Sequence, residues 1–194
     1  MNVNNIRDKI GSATISIKKP VVAGELKSFT ITYTAGFFGI DDTGSIKLCT
    51  RFASDHGRPQ FNFPDQINYV SISASNGAKL EYRYDPKANI RPWDKTIYVK
   101  IVKGFFREGD KLIVNYGDPS QGSPGIRMQT FAEKTFEVKV LVDAFATYQY
   151  IEIPDSPKIK IIPGPVKYWK LQLPTLRRVK ENFRLQIKAE DKWG

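Results

Sequence analysis

The chain holds one imidazole, His56, and one thiol, Cys49, so most covalent and metal chemistry can be judged by counting. A Ser-His-Asp or Cys-His arrangement must use His56 as its base. Cys49 lies seven residues earlier in an alternating apolar run, which suits a buried packing thiol better than a nucleophile. No G-x-S-x-G elbow occurs, because Gly122-Ser123-Pro124-Gly125 puts proline where the turn into a helix needs freedom. His56, within Ser54-Asp55-His56-Gly57-Arg58, reads as a loop residue. One His and one Cys cannot supply the three or four N/S ligands of a zinc site. Asp41-Asp42-Thr43-Gly44 is the densest acidic turn, and it lacks the further spaced carboxylates of a calcium loop. No catalytic residue, metal or cofactor is therefore expected, and a single cysteine forms no intrachain disulfide.

Recognition is the chemistry that remains. Three loop clusters mix arginine, aromatic and polar residues: Arg51 to Arg58, Asn89 to Asp94, and Gly117 to Thr130. Arg51, Arg91, Trp93 and Arg127 are the candidate ligand-binding residues, since guanidinium forks match anions and an indole face stacks. They are expected together at one end of the domain, near the Gly117 to Gly125 loop, facing an anionic or carbohydrate ligand. The competing reading has Trp93 plugging the end of the fold and the arginines pairing with Asp55, Asp94 or Asp118. Twenty acidic residues leave a small polysaccharide hydrolase or lyase as the alternative function, although nothing in the sequence pairs two of them. Asp118, Glu133 and Asp143 fall near loops and strand ends, as acids do in any β protein.

The elements that must carry these loops alternate with period two, the pattern of strands with one buried face. Phe29, Ile31 and Tyr33 show it, as do Ile46 and Leu48, Val70 and Ile72, Leu80, Tyr82 and Tyr84, Ile97 to Ile101, and Leu112 to Tyr116. Phe136, Val138, Val140 and Val142 form the longest clean run. Asn76-Gly77 reads as a tight hairpin, since both residues tolerate positive φ. No segment sustains a helical apolar stripe. The expected fold is all-β, an antiparallel immunoglobulin-like β-sandwich over residues 1–155. Two prolines in IEIPDSP mark a boundary, so residues 156–194 are expected as a β-strand tail or the start of a second sandwich. The tail's apolar set (Ile159, Ile161, Trp169, Leu171, Leu173, Phe183, Leu185, Ile187) needs cover, which predicts docking on the first domain or on a second copy.

A hydrophobic content of 41% with 26% charged residues is ordinary for a globular chain and too apolar for a disordered one. Of the net charge of +10, residues 158–194 carry +7, so the basicity is local and makes a weak case for nucleic acid. The tail's lysines and arginines are expected to face solvent. Met1 to Lys9 are polar and no apolar h-region follows, so no signal peptide is expected and a cytoplasmic setting fits. No apolar run reaches membrane-spanning length.

The runs FGIDDTGSIKL, RFASDHG, YDPKANIRPW, EGDKLIVNYGD, QGSPGIRMQTFAE and VLVDAFATYQYIEIPDSP, with PGPVKYWKLQLPTLRR and KAEDKWG, resemble an uncharacterised bacterial family. Its members are large proteins in which a β-rich N-terminal part, a domain of unknown function, precedes a PHP-type metallohydrolase-like domain. The resemblance covers nearly the whole chain. It implies a non-catalytic accessory or binding module, with the metal-binding residues in a partner domain beyond Gly194.

Overall fold

The computed structural model describes residues 6–194, so the first five residues of the polar Met1–Lys9 lead lie outside the described residues. The strands run β1 (Gly11–Ile15), β2 (Val21–Val22), β3 (Leu26–Lys27), β4 (Phe29–Ala35), β5 (Ser45–Thr50) and β6 (Val70–Ala74). They continue with β7 (Lys79–Asp85), β8 (Lys95–Lys103), β9 (Lys111–Tyr116), β10 (Ile126–Arg127), β11 (Glu133–Glu137) and β12 (Lys139–Asp143). The last four are β13 (Ile151–Glu152), β14 (Lys158–Ile162), β15 (Tyr168–Gln172) and β16 (Gln186–Glu190). One 3-10 turn, Pro119–Gln121, interrupts the glycine-rich loop and is capped by Asp118, whose carboxylate accepts from Ser120 N.

Two antiparallel sheets form an immunoglobulin-like sandwich. One has the order β1-β4-β9-β6 and the other β13-β12-β5-β8-β7. Alternation decides which side chains meet between them. Phe29, Ile31, Tyr33 and Ala35 of β4 face Leu112, Val114 and Tyr116 of β9 within one inner layer, and Ile46, Leu48, Ile97, Val99 and Ile101 supply the other. Phe29 and Tyr116 stack with ring centroids 4.7 Å apart. The Tyr33 hydroxyl, deep in the core, donates to the Ile10 carbonyl at 2.6 Å, which satisfies a group that would otherwise be costly to bury.

The longest alternating run belongs to two sheets. β11 pairs with β14, whereas β12 pairs with β5, and the strand turns the corner at Val138, whose N–H donates to Pro157. β14 lies between β11 and β2, antiparallel to the first and parallel to the second. Its Ile159 and Ile161 are each 2% exposed. The chain past Pro157 thus continues as an integral strand of the sandwich body.

Two expectations need correction. Asn76-Gly77 is a turn, with Gly77 at φ +77°, but it joins β6 of one sheet to β7 of the other and closes no hairpin ladder. The Asn76 amide donates to Phe105 O and to Asp110, so the side chain fastens a corner between sheets. The tail divides. Beyond β14 it becomes a two-stranded ribbon, β15 with β16, whose apolar face the first domain leaves uncovered: Trp169 is 70% and Ile187 60% exposed. Trp169, Leu171, Ile187 and Ala189 share one uncovered face by cross-strand register. On the opposite face Lys170 and Lys188 face solvent, as expected, and also bracket Glu190 at 2.7 and 2.8 Å. Trp193 tethers the ribbon, its indole N–H donating to Ala23 O and its ring lying on Gly24.

Candidate functional site

The outer face of the five-stranded sheet carries the site. Register lays Glu152, Leu141, Lys47, Tyr98 and Arg83 in one row across β13, β12, β5, β8 and β7. Lys47, Tyr98 and Leu141 are outward neighbours of buried residues, as Lys47 is of Ile46 and Leu48, and Tyr98 of Ile97 and Val99. Two loops wall the row. In the first, residues 86–94, the Asn89 amide donates to Trp93 O and the Ala88 carbonyl accepts from Lys47 Nζ at 2.9 Å. In the second, buried Asp143 accepts from the N–H groups of Thr147 and Tyr148, folding the chain back so that Tyr148 and Tyr150 overhang the sheet.

The result is an open groove of about 990 Å³. Five basic side chains line it (Lys47, Arg83, Lys87, Arg91, Lys139) against two carboxylates, Asp85 and Glu152. Cations and aromatic rings interleave. Lys47 Nζ lies 3.9 Å from the Tyr150 centroid, Arg83 4.3 Å from Tyr98, and Lys139 4.8 Å from Trp93. Lys139 also pairs with Glu152 at 2.9 Å, whereas neither Lys47 nor Arg83 is ion-paired among the described residues. Burial lowers the Lys47 pKa from its ordinary value, and the Arg83 charge lowers it further, so an arriving anion would favour the charged form of an ammonium that has a carbonyl partner but no counter-charge.

The sequence candidates separate. Arg51, Arg91 and Trp93 come together: Arg51 sits 5.0 Å over the Trp93 ring, and Arg91 and Trp93 both line the groove. Trp93 lines the groove on the outer face, whereas the competing reading had it plugging the end of the fold. Arg91 leans on Phe52 and pairs with Asp94 at 3.5 Å, but its side chain is largely exposed. Arg127 does not line the groove. Its guanidinium pairs with Asp55 at 3.4 Å and also donates to the Asp55 carbonyl, and Thr130 donates twice to the same carboxylate. Burial alone would raise the Asp55 pKa, yet the Thr130 and Arg127 bonds outweigh it and the net shift is downward. Arg127→Ala is therefore expected to cost about 1 kcal/mol of stability, since it removes an ion pair and a hydrogen bond from a half-exposed carboxylate that Thr130 still holds. Denaturant titration should show that loss while ligand binding in the groove stays unchanged.

Lys47, Arg83, Tyr98, Lys139, Tyr148 and Tyr150 escaped the sequence reading. For the strand residues the signal was the outward half of the alternation, which reads as an ordinary solvated face until the register sets Lys47, Tyr98 and Arg83 in one row, whereas Tyr148 and Tyr150 lie in a loop.

His56 stands apart from the groove. Its ring stacks on Phe136 with centroids 5.4 Å apart, and its Nε2 is shielded from water with no partner. Burial holds its pKa down at about 4. Cys49 is buried beside Thr96 with its thiol pushed up to about 11, again by burial, which makes it inert as a nucleophile. Among the described residues no three His, Cys, Asp or Glu side chains gather as metal ligands, and no helix is long and apolar enough to cross a membrane.

No protein-family model matches the chain, and no curated protein does. Among solved structures, a cohesin module from a Clostridium perfringens ATCC13124 family 33 glycoside hydrolase is similar to it, with a TM-score of 0.44 and 14% identity over 80% of this chain and 99% of that one.

Proposed function

We propose that this chain is a non-catalytic β-sandwich module that binds a ligand along the outer face of its five-stranded sheet, within a larger hydrolase-like protein. The observation that supports it is the groove itself, where two unpaired cations, Lys47 and Arg83, stand among tyrosines on rigid strands. The motif resemblance adds the expectation of a neighbouring PHP-type metallohydrolase-like domain.

Geometry disfavours the enzymatic alternative. Asp85 and Glu152 are the acids of the groove, and they occupy the two edge strands of a five-stranded sheet. Four strand spacings separate them by roughly 19 Å, whereas glycosidase pairs stand no more than about 9.5 Å apart.

Immobilised glycans and anions offered to the wild type and to a Lys47→Ala/Arg83→Ala variant test the reading. At least one ligand class should be retained by the wild type and weakened tenfold or more in the variant, with no new reducing ends or unsaturated uronate released. Turnover, or binding indifferent to the double substitution, would overturn it.

A further inference from the structure

Resting on that reading, we infer that the groove takes a carboxylate-bearing polysaccharide, a chain of uronate sugars laid across the strands. Three observations converge on this class. First, the backbone amides beneath the groove are consumed by the sheet ladder, so no nest of N–H groups or helix terminus converges to hold a dianion such as phosphate. Neutralisation falls to side chains, and of the three without an ion pair among the described residues Lys87 lies in the 86–94 loop, whereas Lys47 and Arg83 arise from β5 and β7 with β8 between them. Their backbones are therefore about 10 Å apart. Separate single cations at that spacing match separate singly charged carboxylates along a chain better than one compact, doubly charged group.

Second, the rings inside the groove are already used. Arg83 covers Tyr98 and Lys47 covers Tyr150, which leaves little free face for stacked bases. What the floor offers is donors: ammonium and guanidinium N–H groups beside the phenols of Tyr98 and Tyr150. That set suits the hydroxyls and planar carboxylates of a uronate, the carboxylate fitting the guanidinium fork of Arg83. Third, one ring remains open. Tyr148 is 76% exposed at the groove's rim, where its apolar face can meet a sugar ring.

Isothermal titration with an α-1,4-linked galacturonate hexamer tests the assignment, set against its methyl ester, a neutral galactose oligomer, a sulfated oligosaccharide and an oligothymidylate. The hexamer should bind, and methyl esterification should weaken it tenfold or more. Arg83→Ala should cost about the same factor with partial rescue by Arg83→Lys, and Tyr148→Ala should cost severalfold, in variants whose melting stays cooperative. Equal affinity for the ester or the neutral oligomer would overturn the carboxylate assignment while leaving a binding groove in place. Preference for the sulfated chain or for oligothymidylate, with affinity falling steeply in salt, would overturn it in favour of a general polyanion or nucleic-acid surface. Failure of every probe, together with a negative glycan and anion screen, would remove both this inference and the module reading.

Discussion

Truncation after Pro157 is expected to abolish cooperative folding, whereas truncation after Pro163 should leave a folded sandwich. The contrast follows from β14. Ile159 and Ile161 are buried between β11 and β2, and each such side chain is worth roughly 1.5–3 kcal/mol when taken from water. Losing both removes about 3–6 kcal/mol, a large fraction of the 5–15 kcal/mol that holds a typical domain together. The true cost is higher still, because Val21 and Phe136 lose their cover and two ladders lose a partner. The shorter deletion removes only the ribbon, whose apolar face is uncovered, and its Trp193 tether to Ala23. It should shift melting by a few degrees and improve solubility by deleting an exposed sticky surface. Far-UV circular dichroism melts of the two truncations against the full chain provide the measurement. A cooperative, near-wild-type melt for the Pro157 truncation would show that β14 is dispensable.

Acidification between pH 6.5 and 4 should cost the protein about 3 kcal/mol through His56 alone. Burial keeps the folded-state pKa near 4, below the ordinary 6.5, with Arg127 and Lys95 reinforcing the shift and Asp55 opposing it. The unfolded chain binds the proton more readily, so stability is intact above pH 6.5 and is lost as pH falls through the window to about 4. Two and a half pH units at about 1.4 kcal/mol each give the magnitude. Glu25 and Glu190, lowered from about 4.5, and Asp55 and Asp118, lowered from about 3.8, add their losses below those values, so the His56 phase stands alone between pH 6.5 and about 4.5. His56→Phe keeps a ring against Phe136 and removes the unpartnered Nε2. It should flatten the slope between pH 6.5 and 4 and hold or raise stability at pH 7. Urea midpoints at half-unit pH steps would show it, and an unchanged slope in the variant would assign the acid sensitivity elsewhere.

Most strands were legible because inner-face residues alternate without interruption, as Ile97, Val99 and Ile101 do on β8. Which sheet a strand joins was not. Asn76-Gly77 has hairpin chemistry, yet its flanking strands enter opposite sheets, since pairing depends on β8 and β9, met only later in the chain. The boundary placed near residue 155 followed the two prolines faithfully, while β14 was recruited back by β11 just before it and by β2 far upstream. Of the sequence candidates Arg91 and Trp93 line the groove, and they were visible because loops concentrate unusual residues. The floor sits on strands, where Lys47, Tyr98 and Arg83 are far apart in sequence and become neighbours through register alone. Arg127 looked identical to the others by type. Only the folded loops show that Asp55 already occupies it.

The parallel pairing of β2 with β14 also dictates an order of assembly. Val21 and Ile161 are joined across most of the chain, and a contact so distant in sequence closes late, after the local ladders that shrink the search. A chain leaving the ribosome therefore carries β2 and β11 with an open slot between them until residue 162 has emerged. During that interval the vacant slot is the natural place for a foreign strand to enter. The sandwich is consequently most exposed to misassembly just before its last internal strand arrives, and whatever shields the nascent chain must do so until then.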